Sequence, residues 1–266
     1  MTWLAHFGLT CAPFSKELPD SDLWLPPSKQ SVVEQLCMAA EAREQVVLTG
    51  DDGTGKTTVL RAARKHLNQK FRLTYTANST LGRRDFYRQL CIALGLSPKA
   101  TAAAVFYAVS GHVQELRGEH IHPVFLVDEA HLLHQDTLDH LHILLNYEWD
   151  SKALLSLVLV GLPELQDRLA LRRNRSLYSR IHWRLQIDAL APADTAAYLR
   201  HRLAQAGCER ELFTSDAAAM LHEATHGAMR DVDRVAHAAL RATATAGHKL
   251  VERAAVLAAV GPGGSR

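Results

Sequence analysis

The chain has 266 residues, of which 47% are hydrophobic, 22% charged and 6% aromatic. That suits one large domain, or an α/β domain with a small second one, and excludes a low-complexity chain. Thirty Lys and Arg against 28 Asp and Glu leave a net charge of +2, so any basic surface is local. The longest apolar run, Ala153 to Leu162, contains Ser156 and is half of what a membrane span requires. The N-terminus lacks the basic start and apolar stretch of a signal peptide. Cys11, Cys37, Cys91 and Cys208 are spaced for neither a zinc knuckle nor a disulfide scaffold. The expectation is a cytoplasmic protein with no membrane partner.

The first thirty residues, broken by Pro13, Pro19, Pro26 and Pro27, read as an irregular apolar strap on a domain surface. A helix follows from Ser28 to about Glu44, then a short buried strand, Val46 to Thr49, ending at Gly50. Thr57 to Leu67 reads as a helix and Phe71 to Thr76 as a strand. Arg84 to Leu94 is a helix closed by Gly95, and Ala100 to Leu116 is another. Val124 to Val127 is wholly apolar, as in a strand buried on both faces of a parallel sheet. A helix at Gln135 to Asn146 precedes strands at Leu155 to Val160 and Leu185 to Ile187. Alternating strands and helices imply a doubly wound parallel sheet. From Pro192 onward only helices are predicted: Pro192 to Ala206, Ser215 to His226 with Ser215 as N-cap, Asp231 to Ala246, and Val251 to Val260. The expected domains are a strap (1–30), an α/β domain (31–190), a helical lid (191–260) and a disordered tail (261–266).

Gly50-Asp51-Asp52-Gly53-Thr54-Gly55-Lys56-Thr57, followed by Thr58, fits the G-x-x-x-x-G-K-[ST] phosphate loop at every position, between a buried strand and a helix. Its glycines let backbone N–H groups turn toward phosphate oxygens at the positive end of the next helix. Lys56 adds a charge for the β- and γ-phosphates, and the Thr57 hydroxyl can ligate Mg²⁺. The strand Val124 to Val127 then delivers Asp128 and Glu129 to its carboxyl end. There Asp128 can hold Mg²⁺ through water and Glu129 can polarise an attacking water. Together the two motifs point to hydrolysis of a bound nucleotide rather than to binding alone.

With these motifs the sequence resembles an AAA+ ATPase: a P-loop parallel sheet flanked by helices, with a C-terminal all-helical lid. It is similar to the branch shared by bacterial transposition helpers (TniB, TnsC and IstB types) and the secretion ATPase ExeA. The residues carrying that likeness are His6-Phe7-Gly8-Leu9 with Pro13-Phe14, Asp128-Glu129-Ala130-His131, Gly161-Leu162-Pro163-Glu164-Leu165 and Gly227-Ala228-Met229-Arg230-Asp231. The resemblance implies ATP bound between neighbouring subunits of a ring or helical filament, with an arginine of one subunit completing the next subunit's site. Arg168, Arg172, Arg173, Arg175, Arg180 and Arg184 occupy a stretch without acids. Arg180, before the last strand, best matches that finger and Arg175 is second; a solvated basic helix face accounts for several of the six. Arg230 matches the family's second sensor, reaching for the γ-phosphate; otherwise it is a surface arginine pairing with Asp231 or Asp233. The strand running into Gly161 has no Asn, Thr or Ser where many relatives carry a first sensor. That role is unassigned, which bears on the rate of hydrolysis.

His131, His134, His140 and His142 are better explained as polar helix-face residues than as metal ligands, because their spacings do not share one face and no cysteine joins them. Arg83, Arg84, Arg88 and Lys99 surround Phe86 and Tyr87, after Asn78, Ser79 and Thr80. By the resemblance this segment lines a central channel, so Arg83, Arg84 and Lys99 are candidates for phosphate contacts with double-stranded DNA. The leading expectation is an ATP-dependent regulator of DNA transposition that assembles on target DNA and recruits or activates a transposase, with a target-selection protein as a further partner. The alternatives are a secretion-pathway ATPase, expected to continue into a transmembrane helix where this chain ends in a Gly-rich tail, or a nucleotide-switched scaffold with little hydrolysis.

Overall fold

The computed structural model describes residues 2–67, 69–77, 80, 82–97, 102–148 and 151–261. Along the chain run α1 (Trp3–Phe7), α2 (Pro27–Glu41), β1 (Gln45–Thr49), α3 (Lys56–His66), β2 (Phe71–Thr76), α4 (Arg83–Ala93), α5 (Ala102–Gly118), β3 (His122–Val127), α6 (Gln135–Leu144), β4 (Ser156–Gly161), α7 (Glu164–Ala170), α8 (Arg175–Tyr178), β5 (Ile181–Gln186), α9 (Pro192–Gln205), α10 (Ser215–Thr225), α11 (Met229–Thr245) and α12 (Arg253–Val260). The chain divides into two compact units. A sheet unit comprises 29–51 and 59–187; a helical unit comprises 1–28, 52–58 and 188–266.

The sheet has five parallel strands in the order β2-β3-β4-β1-β5. Every residue of β1, β3 and β4 is buried, as expected of central parallel strands covered on both faces. Their mostly apolar, β-branched sequences satisfy that demand. The few polar exceptions are answered inside: Gln45 accepts from the Leu157 N–H at 2.6 Å and donates to the Leu155 carbonyl at 3.3 Å. β5 is four residues longer toward its start than the apolar triplet Leu185 to Ile187 predicts. It is an edge strand whose His182, Arg184 and Gln186 are exposed while Ile181 and Leu185 are buried, and this alternation hides it from a search for apolar runs. Two short helices, α7 and α8, were not expected between β4 and β5; they bury Leu165, Leu169 and Leu177.

In the helical unit α11 is the most regular element. Val232, Val235, Ala236, Ala239, Leu240 and Thr243 form one buried stripe at helical spacing. Thr214, rather than Ser215, caps α10, its hydroxyl accepting from the Ala217 N–H at 3.2 Å. The first thirty residues are less irregular than their prolines imply. Thr2 caps α1, and Phe7, Leu9 and Phe14 are buried in one core with Tyr198, Leu203, Leu240 and Val251. Arg202, 4% exposed, fastens this segment: its guanidinium donates to the carbonyls of Pro13 (2.7 Å) and Ser15 (2.8 Å) and to the Tyr198 hydroxyl (2.8 Å). The Tyr198 hydroxyl in turn donates to Asp233 at 2.8 Å. Burial pushes the Asp233 carboxyl above its ordinary range, against the pull of Arg202. Arg202 Nη1 also stands 3.9 Å from the Asp233 carboxylate, whose side chain is 23% exposed, so the ion pair is only partly buried. Of the tail, residues 262–266 lie outside the described residues.

His122, at the start of β3, is buried with its Nε2 2.9 Å from the Ser156 hydroxyl. Burial, aided by the charge of Arg43, lowers its pKa from 6.5 to about 4. The unfolded chain therefore takes up this proton at higher pH than the folded one, and stability present above pH 6.5 is lost as the pH falls toward 4. Denaturant titrations at pH 7 and pH 4 should show the wild type losing about 3 kcal/mol more than His122→Asn.

Candidate functional site

Because β1, β3 and β4 are parallel, their carboxyl ends meet one edge of the sheet, where ligands of such folds bind. β1 ends at Thr49 and Gly50, and the Gly50 N–H donates to the Gly161 carbonyl at the end of β4 (3.2 Å). β3 ends at Asp128, which is 6% exposed. Both of its oxygens are engaged: Oδ2 accepts from the Tyr75 hydroxyl at 2.7 Å and Oδ1 from the Glu129 N–H at 2.9 Å. Desolvation of its hydroxyl beside Asp128 and this hydrogen bond to a carboxylate push the Tyr75 phenol well above its usual value, although the residue is 48% exposed. Glu129 is in the left-handed region (φ 52°), with its side chain 43% exposed and its Oε2 3.6 Å from His131 Nδ1. Gln166 of α7 reaches back along the same edge and donates to the Thr49 hydroxyl at 2.7 Å.

The loop after β1 turns on Gly53 (φ 74°) and Gly55 (φ 99°), where a side chain would be strained. Thr54 and Lys56 are buried, and Thr58 is half-buried; Asp51, Asp52 and Thr57 are exposed. Within the helical unit, the start of α11 lies directly on residues 52–58. A Cβ on Gly55 would stand 2.9 Å from the Met229 sulfur, and one on Gly53 3.0 Å from Arg230 Cβ. The Arg230 N–H donates to the Gly53 carbonyl at 3.3 Å, and its guanidinium is 3.9 Å from Asp52. Neither carboxylate expected for Arg230 takes it: Asp231 is held by Arg234 at 3.1 Å, and Asp233 by Tyr198.

The arginines of 168–184 fall into distinct settings rather than onto one basic face. Arg168 is tied to the carbonyls of His131 and Leu133, Arg173 pairs with Asp139 at 3.3 Å, and Arg184 lies 4.3 Å over the Tyr178 ring. Arg172 and Arg175 are exposed. Arg180 is half-buried between α8 and β5 and donates to the Ser176 carbonyl at 2.8 Å. The histidines have separate surroundings: His134 lies beside Asp136 and His140 bonds the Tyr87 hydroxyl at 3.1 Å, while His131 sits by Glu129. In the DNA candidate segment Arg83 and Arg84 are exposed at the start of α4, and Lys99 lies outside the described residues, as do Asn78 and Ser79. Phe86 and Tyr87 are each 2% exposed, so both belong to the core and neither is a stacking platform.

Sequence reasoning missed Tyr75, Gln166 and Met229. Tyr75 had one signal, the alternation of Phe71, Leu73 and Tyr75 with polar residues along β2; in the structure it is 48% exposed on the strand beside β3.

Residues 40–169 match the AAA domain family. The chain is 34% identical over 264 residues to general secretion pathway protein A of Aeromonas hydrophila, covering 98% of this chain and 48% of that protein. It thus spans about half the length of the curated relative it matches. Among solved structures it resembles Cdc6p of Pyrobaculum aerophilum (TM-score 0.71, 17% identity, 90% of this chain and 67% of that one). It also resembles Drosophila ORC bound to DNA (TM-score 0.72, 18% identity, 93% of this chain and 63% of that one). The fold is that of the AAA+ P-loop proteins, a parallel five-stranded sheet flanked by helices with a helical C-terminal region. Among the described residues no helix is long and apolar enough to cross a membrane.

Tyr75→Phe deletes only the hydroxyl that bonds Asp128. It should lower unfolding stability by about 1–3 kcal/mol with an unchanged denaturant slope. No loss in a urea titration would mean that the Tyr75–Asp128 bond contributes nothing in solution.

Proposed function

We propose that the chain binds and hydrolyses ATP and couples the nucleotide state to assembly with further copies of itself. One observation carries the reading: a complete phosphate loop, turned by Gly53 and Gly55, follows buried β1 and precedes α3, and buried β3 runs out into the Asp128-Glu129 pair. Backbone N–H groups of residues 50–58 and the Lys56 ammonium take the phosphates, as the N-terminus of α3 favours. The Thr57 hydroxyl and the Asp128 carboxylate are all-oxygen donors suited to Mg²⁺. That ion neutralises phosphate charge when bound. Glu129 accepts a proton from the attacking water. Arg230, on the helix that contacts the loop, is the side chain that senses the γ-phosphate. Arg180 completes the site of a neighbouring copy, with Arg175 as its alternate.

The process served is read from the relatives. Likeness to general secretion pathway protein A favours an ATPase of the secretion pathway, the alternative given above. The reading as a transposition helper on double-stranded DNA, with a transposase as partner, keeps the support of exposed Arg83 and Arg84.

Lys56→Ala should abolish nucleotide binding, measured with a fluorescent ATP analogue, because the loop loses its charge on the phosphates. Glu129→Gln should bind ATP normally and release phosphate about 10²–10⁴ times more slowly. Equal affinity of Lys56→Ala and wild type would sink the assignment. The DNA reading has its own test, duplex co-sedimentation with ATP, ADP and no nucleotide. Binding that needs ATP, weakens steeply with salt and is lost in an Arg83→Ala, Arg84→Ala variant supports it. Absence of binding under all three conditions leaves the secretion reading.

A further inference from the structure

The end of β4 offers no side chain of its own to the edge, since Gly161 stands there. The reason is spatial. A Cβ on Gly161 would lie 3.1 Å from both the backbone N and the ring Nδ1 of His131, and 3.1 Å from Leu165 Cδ2. The imidazole of His131 fills that place. Its side chain is only 9% exposed, and its backbone is pinned from behind: Arg168 donates to the His131 carbonyl at 2.7 Å and to the Leu133 carbonyl. Arg168 is itself embedded, because Asn174 donates to its carbonyl at 2.7 Å and Gln135 donates to Asn174 at 2.6 Å. A ring so held has little freedom, and its Nδ1 has two neighbours. The Leu162 N–H, just past β4, points at Nδ1 from 3.4 Å, and Glu129 Oε2 stands 3.6 Å away.

We infer that His131 is a positioning residue for the Glu129 carboxylate, tying its orientation to the end of β4. The inference rests on the reading of Glu129 as the group that activates water. Nδ1 carries either a lone pair or a proton. With a lone pair it accepts from the Leu162 N–H; with a proton it presents an N–H to the Glu129 carboxylate oxygen 3.6 Å away. It serves one partner at a time, so the presence or absence of the Nδ1 proton decides whether the carboxylate or the Leu162 N–H is held. The side chain absent from β4 is in this way replaced by one from the turn after β3, and Gly161 is the residue that makes room.

The test uses the full chain and compares His131→Ala, His131→Asn, Gly161→Ala and Glu129→Gln, with the His131→Ala, Glu129→Gln pair. Steady-state phosphate release, nucleotide affinity and thermal unfolding are measured for each. His131→Ala should lower kcat between about ten- and a hundred-fold, the scale of a misplaced catalytic group, with nucleotide affinity unchanged. His131→Asn, which keeps a polar atom near the place of Nδ1, should recover most of that loss. Gly161→Ala should lower kcat by displacing the ring, and the double variant should be no slower than Glu129→Gln alone. Wild-type kcat in His131→Ala, equal losses in the Ala and Asn variants, or multiplying losses in the double variant would each overturn the proposal. Wild-type hydrolysis by Glu129→Gln would instead overturn the reading of Glu129 itself.

Discussion

The molecule is organised by the burial of three adjacent strands on both faces. β3, β4 and β1 present no exposed side chain along their lengths, so every group capable of chemistry is displaced to where those strands stop. A parallel arrangement then makes the stops coincide, and Thr49, Asp128 and Gly161 become neighbours along one edge without any local sequence that says so. The polar contacts there follow from the same constraint. A carboxylate as buried as Asp128 needs donors, and it finds them in the Tyr75 hydroxyl and the Glu129 N–H. Thr49 is met in the same way by Gln166.

The helical unit has a different organising contact. Gly227 is left-handed (φ 72°), and a Cβ on it would stand 2.2 Å from the Leu190 carbonyl oxygen. The two backbones are joined by the Leu190 N–H donating to the Gly227 carbonyl at 2.9 Å. Only glycine fits so close an approach. Two residues later α11 begins, and its first residues, Met229 and Arg230, are the ones against the loop glycines. The aim of that helix is thus set by a point where a side chain is missing.

Much of this was legible in the residues. Phe71 to Thr76 was read with its observed bounds, and the buried strands announced themselves by apolar runs. The phosphate loop and the Asp-Glu pair were visible because their chemistry requires fixed spacing. Elements whose stabilising partners are remote were less visible. β5 carries its signal in alternation, which His182 and Arg184 disguise. α1 is five residues long and looks like irregular chain until Thr2 and the distant core of Leu240 and Val251 are supplied. Tyr75, Gln166 and His131 owe their settings to pairings across the sheet, 53, 117 and 31 positions away in sequence respectively. Spacing within a motif cannot encode such distances.

The fastening of the first residues by Arg202 bears on how the chain comes off the ribosome. Phe7, Leu9 and Phe14 are made well before the core that buries them, which is contributed by residues from Leu190 to Val256. At ordinary synthesis rates of about 5–20 residues per second, those side chains wait roughly ten to fifty seconds before their partners are made. During that interval the sheet unit, 29–51 and 59–187, becomes available to fold by itself. Side chains of residues 7–14 are therefore buried long after they are made, an order of events in which chaperones that shield exposed apolar segments have time to act.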